Sequence, residues 1–209
     1  MLYLSSVVPT KPGIYNELGH FFTPEEMEEY CFPDLETALS KAEDDLLNSL
    51  IENDHYKLEI PIEKLDAFEL FNDKEIKVIQ KYLTKKIYRE QEQIIWQGET
   101  GNSIYFIVKG RAQTFQTKWN GNRQYIGTLC PGTTIGEMAI IDQRPRSADV
   151  IVVEELVCFY ITTKEIEQLA QEHPLLSYKI LKGVAKELSK RLRIKEKIYK
   201  ELTEKWQAA

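Results

Sequence analysis

Apolar residues recur at helical spacing near both ends of the chain and at alternate positions through its middle. Leu35, Ala38, Leu39, Ala42, Leu46 and Leu50 are three to four apart, which predicts a helix over 35–50 with Asp34 able to cap its first turn. Before it, Met1 to Ser5 reads as extended, Pro12 to Leu18 as helical and Glu29 to Phe32 as extended. This strand-helix-strand-helix order is half a sheet, and a parallel pair joined by crossover helices must be covered on both faces. From residue 61 a second helical stretch carries Ile62, Leu65, Phe68, Leu70 and Phe71, then Ile76, Ile79, Tyr82 and Leu83, with Asn72-Asp73 as a break or cap between them. The period then changes to two. Ile94 to Trp96, Ile104 to Val108, Gln113 to Trp119, Gln124 to Leu129, Ala148 to Val153 and Leu156 to Ile161 read as short strands, separated by Gly98, Gly101, Gly110, Asn120-Gly121, Pro131-Gly132, Gly136 and Pro145. Asn120-Gly121 is the strongest hairpin signal among these. Regularly spaced strands of this kind predict an antiparallel sandwich or barrel. Helix returns at Thr163, where Thr162 and Glu165 have capping-box spacing. After His173-Pro174 one long helix is expected to about Trp206. On it Leu181, Ala185, Leu188, Leu192, Tyr199, Leu202 and Trp206 form a heptad seam, with Lys195 in the remaining slot.

Length and composition set the frame for these elements. The 209 residues, at about 150 per domain, make one large domain or one small domain with a fragment. A hydrophobic share of 43% and a charged share of 29% exclude wholesale disorder and fibrous repeats. The longest apolar runs, such as Val150 to Val153, fall far short of the roughly 20 residues that cross a bilayer. Met1-Leu2-Tyr3-Leu4 lacks a basic leader and an apolar stretch, so a cytoplasmic location is expected. Cys31, Cys130 and Cys158 lie far apart and fit buried reduced thiols better than disulfides or zinc spacing. The net charge of −6 hides a division: residues 1 to 60 hold 3 basic and 13 acidic side chains, and the rest hold 24 basic and 20 acidic ones. Two units of different origin joined near Asn53-Asp54-His55 are the simplest reading.

The informative run is Thr134-Ile135-Gly136-Glu137-Met138-Ala139-Ile140-Ile141, followed by Asp142-Gln143-Arg144-Pro145-Arg146-Ser147-Ala148. Gly136 permits close approach of the backbone to a ligand, and one helical turn after it would present free N–H groups to an anion. Arg146 adds a planar cation able to grip two phosphate oxygens. A carboxylate at Glu137 would repel that phosphate unless it accepted a proton elsewhere on the same ligand, and a ribose hydroxyl supplies one.

On these residues, positions 62 to 194 resemble the cyclic nucleotide-binding domain of kinase regulatory subunits, gated channels and bacterial regulators. Gly136-Glu137-Met138-Ala139 and Pro145-Arg146-Ser147-Ala148 are similar to that family's phosphate-binding cassette, and Gly98, Gly101, Gly110 and Gly132 fit its glycine pattern. The resemblance implies a mainly β fold with flanking helices (α+β): an antiparallel, jelly-roll-like β-roll with an N-terminal helical segment and a long C-terminal helix. It implies that Glu137 takes the ribose 2′-hydroxyl and Arg146 the cyclic phosphate. Ala139 and Ser147 would offer backbone contacts to that phosphate, and Thr114, Ile126 and Leu129 would line the base pocket. Leu188, Arg191 or Leu192 on the long helix would serve as a lid. The ligand is expected to be cAMP or cGMP, with adenine favoured because an apolar base pocket has few fixed donors or acceptors. Three positions depart from the family pattern: Asn102 for an Asp, Glu90-Gln91 for a turn glycine, and Asp149 for a Thr. Residues 1–52 resemble the closing part of a sulfate transporter and anti-sigma factor antagonist domain, as in some bacterial anion permeases. The resulting division is 1–52, a linker at 53–61, the binding domain at 62–194 and a helical extension at 195–209.

Other classes find less support. No nucleophile with a base, paired acid or metal cluster is apparent, and no Walker, Rossmann or His-Glu-x-x-His pattern occurs, so no enzyme, cofactor or metal is expected. Too few residues follow the long helix for a helix-turn-helix. The basic residues between Lys179 and Lys200 read as a solvated helix face rather than a nucleic-acid surface. The expectation is a regulatory module that senses a cyclic mononucleotide and relays the signal through its C-terminal helix to a partner or effector, an anion transporter among the candidates. The alternative is a ligand-free interaction module forming a homodimer through that helix.

Overall fold

The computed structural model describes residues 4, 5, 7, 16–32, 38, 42, 58–119 and 121–207. At the N-terminus, strand β1 (Leu4–Ser5), helix α1 (Pro24–Tyr30) and strand β2 (Cys31–Phe32) follow in order. β1 and β2 pair in parallel, Leu4 opposite Cys31, as the expected crossover unit requires. Helix α1 occupies residues from which extended structure was expected at Glu29, so the strand begins only at Cys31. The available signal was a capping box: the Thr23 hydroxyl accepts from the Glu26 N–H at 3.2 Å and the Glu26 carboxylate accepts from the Thr23 N–H at 2.7 Å. Of the helices expected at 12–18 and 35–50, residues 16–18, Ala38 and Ala42 are helical and the rest lie outside the described residues.

The stretch from 61 to 71 is not an α-helix. Ile62–Lys64 and Asp66–Phe68 are two 3₁₀ turns separated by Leu65 in extended backbone. Helix α2 (Asp73–Ile79) starts where Asn72 was expected to cap it, the Asn72 side chain accepting from the N–H groups of Lys74 and Glu75 at 3.1 Å each. A strand that periodicity did not reveal follows, β3 (Thr84–Tyr88), because most of its side chains face solvent at a sheet edge. Then come β4 (Gln93–Ile95), β5 (Ser103–Thr117), β6 (Arg123–Leu129), β7 (Thr134–Ile135), helix α3 (Glu137–Ile141), β8 (Asp149–Thr162), helix α4 (Thr163–Glu172) and helix α5 (Pro174–Gln207). The sheet runs β3-β8-β5-β6, with β4 on β8 and β7 on β5, all antiparallel.

Two pairs of expected strands fuse. β5 runs through Gly110 and β8 through Glu154-Glu155, with their register shifting between Ile107 and Ala112. Gly110 marks this bulge: its lack of a side chain lets the Glu155 carbonyl lie where a Cβ would otherwise stand. β5 and β6 form the hairpin expected at Asn120-Gly121, and Gly121 has positive φ. At the turn where Glu90-Gln91 replaces a glycine, Gln91 itself adopts φ +67°, which costs about 1 kcal/mol and is held by its N–H donating to the Val152 carbonyl at 2.9 Å.

Both faces of β5 are buried, which explains its near-continuous apolar run. Ile104, Phe106 and Val108 meet Phe68, Ile79, Ile161, Leu169, Ile180 and Val184 in a core under the helices. Ile107 and Ala112 turn into the roll against Ile94, Ile95, Ile135, Val150, Val152, Leu156 and Cys158. Burial pushes the Cys158 thiol up to about 12, so it stays a protonated apolar side chain. None of the three cysteines forms a disulfide among the described residues, and Cys31 and Cys130 are half-buried.

Helix α4 begins with the expected capping box of Thr162 and Glu165. Helix α5 buries Leu176, Ile180 and Val184 on the first of these cores, at roughly 1.5–3 kcal/mol for each fully buried side chain. Lys179, Lys186 and Lys190 bridge from it to Glu75, Glu69 and Asp66 at 2.7, 2.5 and 2.8 Å. Within the expected seam, Leu181 and Leu192 are exposed and Leu188 packs on the core instead. Tyr199, Leu202 and Trp206 lie in the described helix, without a description of their side chains. Among the described residues no helix is long and apolar enough to cross a membrane.

Candidate functional site

Strand β7 delivers the chain to Gly136, whose φ of +79° starts the five-residue helix α3. A left-handed residue here reverses the chain tightly, which a side chain would resist. The reversal places the Gly136 carbonyl against Arg146, whose guanidinium donates to it at 2.6 Å and to the Ser103 carbonyl at 2.9 Å. The Arg146 backbone is fixed as well, its N–H donating to the Glu99 carbonyl and its carbonyl accepting from the Gly98 N–H. Gly101 completes the seat, because a Cβ there would lie 2.6 Å from the Arg146 guanidinium and 2.7 Å from the Ala139 methyl. Arg146 is 8% exposed, and burial lowers its pKa from the ordinary arginine value without removing its charge.

Glu137, one residue into α3, is 4% exposed. Burial raises its carboxyl above the usual range, opposed by the nearby Arg191 guanidinium at 3.5 Å. Arg191 comes from α5. It donates to the Thr134 carbonyl at 2.6 Å and pairs with Glu187 at 2.5 Å. Glu187, itself buried, accepts from the Thr134 N–H at 2.9 Å and the Thr134 hydroxyl at 2.5 Å. A carboxylate and a guanidinium on one helix face thus latch α5 to the strand that leads into the cassette.

These groups face one cavity of about 380 Å³, within the range of small-molecule sites. The residues singled out in the sequence as ligand-binding, Gly136, Glu137, Met138, Ala139, Arg146, Ser147, Ala148, Thr114, Ile126 and Leu129, all line it. Of the lid candidates Arg191 lines it. Leu188 and Leu192 do not, since Leu188 packs on the helical core and Leu192 is 59% exposed. The reason is the rotation of α5 set by Leu176, Ile180 and Val184, which turns the polar side of Glu187 and Arg191 toward the cassette. Lys195, Gln116 and Thr128 line the cavity as well. A four-residue step from Glu187 through Arg191 to Lys195 was the sequence signal for Lys195, and Gln116 and Thr128 join from β5 and β6.

Asp149, the departure of most concern, does not meet Arg146. Its carboxylate accepts from the Gln93 side chain and the Gln97 N–H at 2.8 Å each and pairs with Arg123 at 2.9 Å. It therefore ties β8 to β4 and β6 behind the cavity wall. Asn102 accepts a hydrogen bond from the Ser103 hydroxyl at 2.8 Å and through its carbonyl holds the start of α4. Among the described residues no group of histidine, cysteine and carboxylate side chains could hold a metal.

A roll of this topology, with a buried arginine and a buried glutamate facing one cavity, defines a class of ligand-binding regulatory domain. Residues 85–173 match the family model of the cyclic nucleotide-binding domain, and this part of the chain is such a domain. The cyclic AMP receptor protein of Thermus thermophilus is 27% identical over 114 residues, covering 54% of this chain and 53% of that protein. A cGMP-dependent protein kinase of Plasmodium berghei is 30% identical over 118 residues, covering 56% of this chain and 13% of that protein. The solved cyclic nucleotide-binding domain from Methylobacillus flagellatus aligns with TM-score 0.56 at 25% identity, covering 59% of this chain and 69% of that one. The chain spans about half the length of the first relative and a small part of the second. The family match starts at residue 85, and the resemblance of residues 1–52 to an anti-sigma factor antagonist domain gains no support from these comparisons.

Proposed function

We propose that the chain binds a 3′,5′-cyclic mononucleotide, cAMP or cGMP, in the cavity between α3, β6 and α5, and that binding is relayed through α5. The observation that carries this reading is one cavity with opposite charges at adjacent points, Arg146 for a cyclic phosphate and Glu137 for a ribose hydroxyl. Arg146 spends part of its guanidinium fork on the Gly136 and Ser103 carbonyls, which orients the remaining donors for phosphate oxygens. Glu137 is buried beside Arg191, so a ribose hydroxyl donating to its carboxylate would compete with that ion pair and loosen the latch on α5. The relatives' names include both cyclic AMP and cyclic GMP, and so support the nucleotide class without choosing the purine. A receiver in an effector domain or an anion transporter is a proposal from the resemblance of residues 1–52 alone.

Calorimetric titration with cAMP, cGMP and their 2′-deoxy analogues tests this. Saturable binding is expected, and Glu137→Gln should reduce the preference over the 2′-deoxy analogue. Absence of heat with every nucleotide at millimolar concentration refutes the reading.

A specific observation favours a second activity alongside the first. Leu175, Tyr178, Leu181 and Leu192 are each 40% or more exposed on α5, an apolar stripe that a second copy of the helix would cover. We propose a homodimer through this stripe. Sedimentation of Leu181→Glu/Leu192→Glu should then show a monomer where the parent chain shows a dimer.

A further inference from the structure

The hairpin of β5 and β6 differs in charge from the rest of an acidic chain. From Thr100 to Gly136 there is no aspartate or glutamate, while Lys109, Arg111, Lys118 and Arg123 fall within that stretch. Lys109 and Arg111 pair with Glu155 and Glu154 near the bulge, and Arg123, stacked 4.7 Å over the Phe115 ring, pairs with Asp149. Lys118 is exposed at the tip and has no ion pair among the described residues. Trp119 stands beside it, 98% exposed. The turn itself does not require an indole, since turn tips are ordinarily filled by small polar residues. Gly121 supplies the left-handed residue, its N–H donating to the Lys118 carbonyl at 2.9 Å, and the Lys118 N–H donates to the Asn122 carbonyl at 2.9 Å. Behind the tip the Gln97 side chain clamps Thr117, accepting from its N–H at 2.6 Å and donating to its carbonyl at 3.2 Å. Trp96, half-exposed, precedes that clamp by one residue. The hairpin thus presents Trp119 on a braced turn, between Lys118 and Arg123 in the chain and with no carboxylate on either strand.

We propose that this tip docks on an anionic lipid surface, with Trp119 entering the headgroup region and Lys118 and Arg123 facing the lipid phosphates. An indole is apolar over its rings and donates from one N–H, which suits the boundary between acyl chains and headgroups. The cations at its flanks are drawn by the negative surface potential of such a membrane. A single convex turn offers far less area than the roughly 800 Å² per partner of a standard protein interface, whereas a bilayer needs no complementary surface. One ring and two cations give a weak, reversible association, which orients the roll on a membrane without anchoring it. Trp119 and Lys118 do not line the nucleotide cavity, so neither reading depends on the other.

The test is co-sedimentation of the full chain with vesicles of phosphatidylglycerol mixed into phosphatidylcholine, and with phosphatidylcholine alone, read together with tryptophan emission. The expected result is partition into the mixed vesicles, weakened by added salt, with emission shifted to shorter wavelength. Trp119→Ala should lower the partition about ten-fold and remove the shift although Trp96 remains, and Lys118→Gln should lower it about five-fold. Both side chains are exposed, so the variants should melt as the parent does. No partition, or partition no stronger into the mixed vesicles than into phosphatidylcholine, overturns the proposal. Binding that survives Trp119→Ala comes from another surface, such as the basic face of α5, and overturns it equally. Emission that stays unshifted on vesicles does the same and leaves Trp119 for a protein partner.

Discussion

Two arginines face the same cavity, and they are held by different means. Arg146 is gripped by backbone: two carbonyls accept from its guanidinium, and two glycines leave the space it fills. Arg191 is gripped mainly by side chains, Glu187 and Glu137, on a helix that reaches the site from the far end of the chain. Backbone carbonyls of a packed roll cannot withdraw without unfolding it, whereas a carboxylate can exchange one donor for another. The seat of Arg146 is therefore fixed by the roll itself, and on the proposed function the contact of Glu137 with α5 depends on what that carboxylate binds. On the proposed function this division separates a binding element from a switching element.

The comparison breaks first at Arg146. Arg146→Ala should weaken nucleotide binding ten-fold to more than a hundred-fold by calorimetry, since a charged hydrogen bond contributes about 1.5–3 kcal/mol. Arg191→Ala should weaken it less. An equal loss in both would mean that the two cations share one role. Next in size, Gly101→Ala forces a methyl group against the Arg146 guanidinium and Ala139, and should lower stability by about 1–3 kcal/mol in denaturant melts while also weakening binding. A variant as stable and as tight as the parent would show that the seat is loose.

Glu187→Gln keeps an acceptor for Thr134 but removes the charge that holds Arg191. A stability loss of about 1 kcal/mol is expected, with faster hydrogen exchange along α5 beyond residue 187. Unchanged exchange there would make α5 a permanent fixture and the comparison empty. The smallest effect concerns pH. Burial raises the Glu137 pKa on folding, so the native state binds its proton more readily than the unfolded chain does. Unfolding free energy attributable to this group should then fall as pH rises from the ordinary carboxylate range through the raised value. Ligand-free Glu137→Gln should lack that part of the slope, and melts of both proteins across the acid range will show whether it does.

Much of this was legible in one sequence. Period-two runs with glycine punctuation gave the roll, and capping spacings at Asn72 and Thr162 marked helix starts because a cap is a local hydrogen bond between residues two or three apart, although the same signal at Thr23 was passed over. The cassette from Gly136 to Ala148 was legible for the same reason: its geometry is set by a left-handed glycine and by a nearby arginine. Tertiary structure alone decided the rest. Strand β3 had no signal because an edge strand has an exposed face and little apolar alternation. The 3₁₀ form of residues 62–68 comes from packing under α5, and no local pattern separates it from an α-helix. Asp149 looked like a rival for Arg146 in sequence, yet three partners brought from β4, the turn after it and β6 occupy it. The lid was misplaced onto Leu188 and Leu192, because heptad spacing gives a helix an apolar face without saying which way that face turns. The rotation of α5 is set by contacts of Leu176, Ile180 and Val184 with residues a hundred positions earlier, and only that rotation brings Arg191 and Lys195 to the cavity. Local chemistry is written in neighbouring residues, whereas the direction in which a long helix presents its faces is a property of the packed whole.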